Sequence, residues 1–265
     1  MAGILTRPLQ ALVTYVTALT VGSICGLFVQ YHYRYTGLLQ IPGYDRYLTE
    51  IKQGRLIIAS NHPSLVEPML LLGMCWPHVL WRPLTFFPFS MPDNRQFRGY
   101  EWLYWCSHSI PVSRDPDRSK AINDSAKAKA KAVLTKDLTL IVHPEGGCTD
   151  SLHKDGSRPE MVTAEVRGQT RTIREIRGNL PELAIQTGAR ILPVFGGVAF
   201  ISEIPQPYNR LFAVLKYWMR HRMVVTIQVG ESYHPDKKDR RLNSIKNWNK
   251  GCFTHKRHNC RFFIY

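Results

Sequence analysis

Between Arg7 and Arg34 the chain carries no formally charged side chain. The core of this window, residues 9–30, is long enough for the roughly 20 apolar residues that a membrane-crossing helix needs. Tyr31, Tyr33 and Tyr35 follow, where an aromatic belt would sit at a membrane interface. Thr, Gly and Gln dilute the window, so a helical hairpin lying in one leaflet is a second reading. No A-x-A-like site follows it, which argues against a cleaved signal peptide. Arg7 and Arg34 flank it too evenly to assign a topology.

Cys-x-x-Cys pairs are missing too. The six cysteines are scattered, so neither a zinc ribbon nor a dithiol redox motif is visible, and reduced, packed thiols are expected. There is no G-x-S-x-G, hence no nucleophile elbow of the hydrolase type. There is no internal repeat. Acidic residues are few: 20 Asp and Glu against 35 Lys and Arg give a formal net charge of +15. Such a chain favours polyanions, whether lipid headgroups, phosphorylated metabolites or nucleic acid. No nucleic-acid recognition module accompanies the charge, so that partner is not expected.

What is present is one substantial domain. The 265 residues and an apolar fraction of 44% suit a folded core. Residues 54–60, 108–114, 138–147, 190–197 and 223–230 read as strands. Residues 67–76, 117–136 and 180–189 read as helices, the last with a glycine stop. Residues 82–100 read as a loop and 148–178 as a charged, irregular insertion. Strands alternating with helices predict an α/β fold with a mostly parallel mixed sheet flanked by helices. The expected organisation is a membrane-anchoring segment over 1–35, a catalytic-type domain over 50–235 and a basic tail over 236–265. The sequon at Asn123 falls inside a predicted helix and is discounted as a glycosylation site.

The stretch "ASNHPSLVEP" (59–68) places His62 just beyond a buried strand and Glu67 at the start of the next helix. Two readings stand. Ser64 and Glu67 match the S-x-x-E capping box, which would leave His62 a loop residue. Alternatively, Glu67 orients one nitrogen of His62 and the other acts as a base on a substrate hydroxyl. Ligands of open parallel sheets bind beyond the carboxyl ends of the strands, which is where this pair lies.

Two other predicted strand ends carry chemistry. "SIPVSRD" ends in Arg114, whose fork of donors suits a phosphate, or else pairs with Asp115 or Asp117 at the surface. "HPEGG" ends in Glu145, Gly146 and Gly147, where backbone N–H groups can approach an oxyanion, or where the chain simply turns. His143 reads as structural, beside the bend that Pro144 fixes.

Taken together, "NHPSLVEP", "SIPVSRD", "HPEGG" and "ILPVFGG" resemble, in order and near spacing, the four blocks of the glycerolipid acyltransferase superfamily. The stretch 177–194 is also similar to that family's basic-glycine, helix and fourth-block sequence. The resemblance spans roughly residues 50–235. It implies catalytic roles for His62 and Glu67, acceptor-phosphate binding by Arg114, and third-block roles for Glu145 and Gly146, with Pro193 shaping the acyl-donor pocket. It implies acyl-CoA or an acylated carrier protein as co-substrate and a lysophospholipid or glycerol phosphate as acceptor. Membrane lipids are the expected partners, and neither a cofactor nor a metal is required. Two departures stand out. The first block has Glu67 where the family usually has Asp. The third block reads "EGGCT" and lacks the usual arginine, so a phosphate contact is missing or has moved to Arg177, Lys154 or Arg158. A CoA-independent transacylase and a non-catalytic lipid-binding scaffold are the alternative functions.

Overall fold

The computed structural model describes residues 2–62, 66–94, 108–113, 119–144, 161–166, 169–174, 180–197, 216, 219–222 and 224–235. The uncharged N-terminal window folds as one continuous helix, α1 (Ala2–Tyr31), extended by a π-helical turn over His32–Thr36. It is a single helix and not a hairpin: Gly22 and Gly26 are carried within it without a turn.

Strand β1 (Leu39–Gln40) and helix α2 (Tyr44–Gln53) follow. The sequence reading assigned no element there. Yet Tyr44, Tyr47 and Ile51 recur at helical spacing and are all buried. Next come β2 (Leu56–Ser60), α3 (Glu67–Met74), α4 (Trp76–Val79), α5 (Pro83–Phe86) and β3 (Phe89–Ser90). Residues 82–100 are therefore not simply a loop: α5 and β3 lie within them. Then come α6 (Ser119–Thr135), β4 (Thr139–Val142), the strands β5 (Met161–Val166) and β6 (Gln169–Arg174), α7 (Leu180–Thr187), β7 (Arg190–Gly197) and β8 (Val225–Val229). Gly188, at φ +65°, ends α7 in the left-handed region that glycine favours.

The main sheet has six strands in the order β1-β8-β7-β2-β4-β3, and every pairing is parallel except β7 with β8. Two expectations need correction. Residues 148–178 are not wholly irregular, since β5 and β6 pair antiparallel there. Residues 108–113 form only single bridges, Ser109 to Ser90 and Val112 to Asp93, in place of a strand. Pro111 between them has no N–H to donate to a ladder.

Strand β2 occupies the middle and is buried along its whole length. Its side chains alternate between faces, as the pleat requires. Leu56 and Ile58 join the core built with α1 to α5, whereas Ile57 and Ala59 join the core under α6 and α7. Burial of a Leu or Ile side chain contributes about 1.5–3 kcal/mol, so this strand anchors both layers.

Helix α1 belongs to the first of those cores. Ala18 and Val29 are fully buried. A Cβ on Gly26 would come within 1.9 Å of the Trp76 ring, and one on Gly73 within 2.4 Å of the Cys25 carbonyl oxygen. Glycine at these positions lets α1 lie directly on α3 and α4. Polar ties reinforce the contact: Gln30 donates to the Tyr44 hydroxyl at 2.8 Å, and that hydroxyl donates to the Met74 carbonyl at 3.2 Å. Tyr47, fully buried, donates to the Leu71 carbonyl at 2.8 Å.

The amino end of the sheet is held by Arg190. It pairs with the Glu50 carboxylate and also donates to the carbonyls of Glu50 and Gly54, tying β7 to the α2–β2 junction. Ser232 donates to the other Glu50 oxygen at 2.7 Å.

Candidate active site

The parallel strands β2, β4 and β7 are neighbours in register, so their carboxyl ends open at one edge of the sheet. Ser60, Asn61 and His62 leave β2 there, His143 leaves β4, and Gly196 lies near the end of β7.

Helix α3 begins at Glu67, with Val66 as its N-cap and no side-chain cap. A capping box would put Glu67 at the third helical position, reaching back to the cap residue. It stands at the first position instead, and its carboxylate turns towards β2. Ser60 Oγ donates to Glu67 Oε1 at 3.0 Å, and His62 Nδ1 lies 3.3 Å from Oε2. The structure thus sets His62 against Glu67, and Glu67 does not take the capping-box position.

Glu67 is fully buried, and the His62 side chain is 11% exposed. A buried carboxylate is costly unless it is hydrogen-bonded or paired. Here the Ser60 hydroxyl and the His62 ring are the partners of that carboxylate. A carboxylate oxygen only accepts, so in the neutral imidazole the proton sits on Nδ1. The lone pair is then on Nε2.

Asn61 fixes the other side of the strand end. Its Nδ2 donates to the Gly196 carbonyl at 3.0 Å, and its Oδ1 accepts from the Gly196 N–H at 2.7 Å. The side-chain amide thus prolongs the β2–β7 ladder by one rung. A Cβ on Gly196 would lie 3.3 Å from Glu67 Cγ, tight enough that the acid would have to shift.

A second asparagine works the same way nearby. Asn123, on α6, accepts from the Ser113 N–H and donates to the Ser113 carbonyl, both at 2.9 Å. This amide therefore holds the segment leading to Arg114, and it is not presented as a glycosylation acceptor.

His143, read as structural from the sequence, lies directly against the pair. Its ring stacks on His62 with centroids 4.5 Å apart and planes 22° from parallel. Its Nδ1–H donates to the Ser60 carbonyl at 3.2 Å. Burial, with the His62 ring beside it, pushes its pKa down to about 4, although Glu67 and the backbone acceptors oppose this. The donor atoms of His62, Glu67 and His143 lie within 4.8 Å of one another, which makes them the described residues that could hold a metal ion.

Of the residues singled out from sequence, the structure brings His62 and Glu67 together and buries Pro193 within β7, opposite Ala59. Arg114, Glu145, Gly146, Gly147, Lys154, Arg158 and Arg177 lie outside the described residues. Sequence reasoning missed Ser60, Asn61, Gly196 and the stacking of His143. Asn61 immediately before His62 was the available signal, an amide at a strand end with two exposed backbone groups to satisfy.

The arrangement is that of a base with its orienting acid at the mouth of an α/β sheet, suited to deprotonating a hydroxyl. No curated protein matches the chain in sequence. The Acyltransferase family model matches residues 39–196, a span that contains the His62–Glu67 pair, His143 and Pro193. With more than half of its length so matched, the chain belongs to the Acyltransferase family, within the glycerolipid acyltransferase superfamily.

Proposed function

We propose that the protein is a membrane-associated O-acyltransferase that moves a fatty acyl chain from acyl-CoA, or an acylated carrier protein, to the hydroxyl of a lysophospholipid or glycerol phosphate. The observation that carries this reading is the Nδ1 of His62 set against the buried Glu67 carboxylate at the carboxyl end of β2.

His62 Nε2 takes the proton of the acceptor hydroxyl as its oxygen attacks the thioester carbonyl. Glu67 steadies the imidazolium that forms. The tetrahedral intermediate collapses, the C–S bond breaks, and the departing thiolate receives the proton from Nε2. Base catalysis of this kind contributes roughly 10²–10⁴-fold. Backbone N–H groups of Gly146 and Gly147, beside Glu145, are assigned to the oxyanion, where losing one donor costs about 3 kcal/mol. Arg114 and Arg177 are assigned to the acceptor phosphate. No metal or cofactor is needed for these steps.

The membrane part of the reading rests on α1. The stretch Ala11–Thr36 is long and apolar enough to cross a bilayer. Its outer face exposes Leu9, Leu12, Val16, Ile24 and Leu27. Trp81, 83% exposed, and the exposed Leu80 and Leu84 lie beside α4 and α5, which pack on α1. An apolar face bordered by tryptophan suits a lipid interface. The net charge of +15 adds attraction to anionic lipid, about 1 kcal/mol per basic residue near the surface.

The test is acyl transfer by the detergent-solubilised protein with labelled oleoyl- and palmitoyl-CoA, a panel of lysophospholipids and glycerol 3-phosphate. A diacyl product that vanishes with His62→Ala supports the reading. Product formed from phospholipid alone, without acyl-CoA, would replace it with a transacylase. No product from any donor would leave a lipid-binding scaffold.

A further inference from the structure

Among the groups around the His62–Glu67 pair, His143 is the one to which the proposed chemistry gives no task. It takes no proton in that scheme. Its position is nevertheless closely determined. It follows β4 directly, and β4 pairs with β2 in parallel register through Ala59 and Val142. The next residue of β4's course therefore comes alongside the end of β2, where His62 departs.

Two contacts fix the ring. The Nδ1–H bond to the Ser60 carbonyl sets its rotation and its tautomer, because a carbonyl can only accept. The face of the ring then lies 4.5 Å from that of His62, within 22° of parallel. A stacked pair at this separation is a favourable aromatic arrangement. The His62 imidazole is thus constrained along two directions. Glu67 holds one edge by a hydrogen bond at Nδ1, which still permits the ring to tilt about that bond. A flat surface against its face removes the tilt.

We propose that His143 is a positioning residue for the base: by stacking on His62 it fixes the plane of the imidazole, so that Nε2 is aimed at the acceptor hydroxyl. The inference rests on the reading of His62 as general base. It assigns the effect to the ring face of His143 and not to its nitrogens.

Charge supports this division of labour. Burial and the adjacent His62 hold the His143 pKa at about 4, so the ring is neutral at working pH. Among the described residues the titratable groups facing it are His62 and Glu67, and a neutral ring beside them adds no second positive charge when His62 takes its proton. His143 also reaches back to the carbonyl of Ser60, the same residue whose hydroxyl holds Glu67. Base, acid and stacking ring are therefore all referenced to the same short strand end.

The discriminating variants are His143→Phe, which keeps a flat ring and loses both nitrogens, and His143→Ala, which loses both properties. The full-length protein in detergent would be assayed for acyl transfer with wild type and His62→Ala in parallel. His143→Ala is expected to lower kcat about 10–100-fold with KM within about twofold, the scale expected for misaiming a catalytic group. His143→Phe is expected to recover most of that loss. A Phe variant as poor as the Ala variant would overturn the proposal, and so would an Ala variant with unchanged kcat.

A second readout does not need turnover. In protein labelled at histidine, the Cε1–H resonance of His62 (assigned by its loss in His62→Ala) should carry a ring-current shift that survives in His143→Phe and disappears in His143→Ala. An unchanged resonance in the Ala variant would remove the stack. Should wild type form no product, the acyltransferase reading fails while this spectrum still decides whether His143 lies on His62.

Discussion

Asn61 grips Gly196 by both of its backbone groups, donating to the carbonyl at 3.0 Å and accepting from the N–H at 2.7 Å. The two residues lie 135 positions apart in the chain. Asn61→Ala would leave two buried backbone groups without this partner, each costing about 1–3 kcal/mol. Denaturant unfolding should show a loss of at least about 2 kcal/mol. Activity should fall as well, since His62 is the next residue. Asn61→Asp should be no better, because a carboxylate cannot donate to the Gly196 carbonyl.

Glu67 invites a graded series. Glu67→Ala removes the acceptor of both Ser60 and His62 and should cost about 10³-fold or more in kcat, a loss typical of groups that act as a unit. Glu67→Gln keeps the volume but removes the charge that steadies the imidazolium, and should fall nearly as far. Glu67→Asp restores the family's usual residue, yet it withdraws the carboxylate by one C–C bond, about 1.5 Å. It should retain the most activity of the three, with kcat lowered about tenfold. Equal activity of the Ala variant and wild type would reduce Glu67 to a buried structural acid.

The seat of α1 is open to overpacking. Gly73→Ala would place a methyl group 2.4 Å from the Cys25 carbonyl oxygen, which is backbone and has little room to give way. Overpacking of this kind costs typically 1–3 kcal/mol. Thermal unfolding should report the loss, and protease should then cut more readily between α1 and the sheet. Gly37→Ala, where nothing lies within 4 Å but φ is +68°, serves as the contrast: strain without collision.

Stability should fall in mild acid. His143 has its folded pKa at about 4, below its ordinary 6.5, so the folded state disfavours the proton that the unfolded chain accepts. Its contribution is complete above about pH 6.5 and is lost as pH drops from there towards 4. Burial lowers His108 and His78 in the same direction. Unfolding midpoints at pH 7, 5.5 and 4.5 should therefore decline in that order, and His143→Phe should flatten part of the slope. A midpoint independent of pH over this range would contradict the burial of these rings.

Most of the frame was legible because continuous apolar runs bounded by turns are strong signals. "LIIAS", "TLIV" and "VTIQV" became β2, β4 and β8, and the alanine-rich run became α6. Helix α2 was missed although Tyr44, Tyr47, Leu48 and Ile51 are helically spaced, since polar and charged residues fill the other six positions. The β5–β6 pair was missed because β6 has one large apolar residue, Ile173, among glutamine, threonine and arginine, and lies in a charged stretch. In the site, His62 and Glu67 were legible because both lie within one short stretch. His143 was not, because its contact with His62 exists only once β4 has settled beside β2, and strand neighbours are a tertiary fact. Asn61 and Asn123 were unread for the same reason: each satisfies a backbone whose position the sequence does not announce.

The parallel pairing of β2 also sets an order of events during synthesis. Leu56 lies against Thr139 on one side and Arg190 on the other. At 5–20 residues per second the ribosome takes on the order of ten seconds to pass from β2 to β7. Until then β2 has only its β4 side to bond, and the edge that will receive β7 is a row of open hydrogen-bonding groups on a largely apolar strand. Asn61, whose partner is also on β7, waits equally long. The nascent chain therefore completes the surroundings of the His62–Glu67 pair late, after most of the protein has already been made.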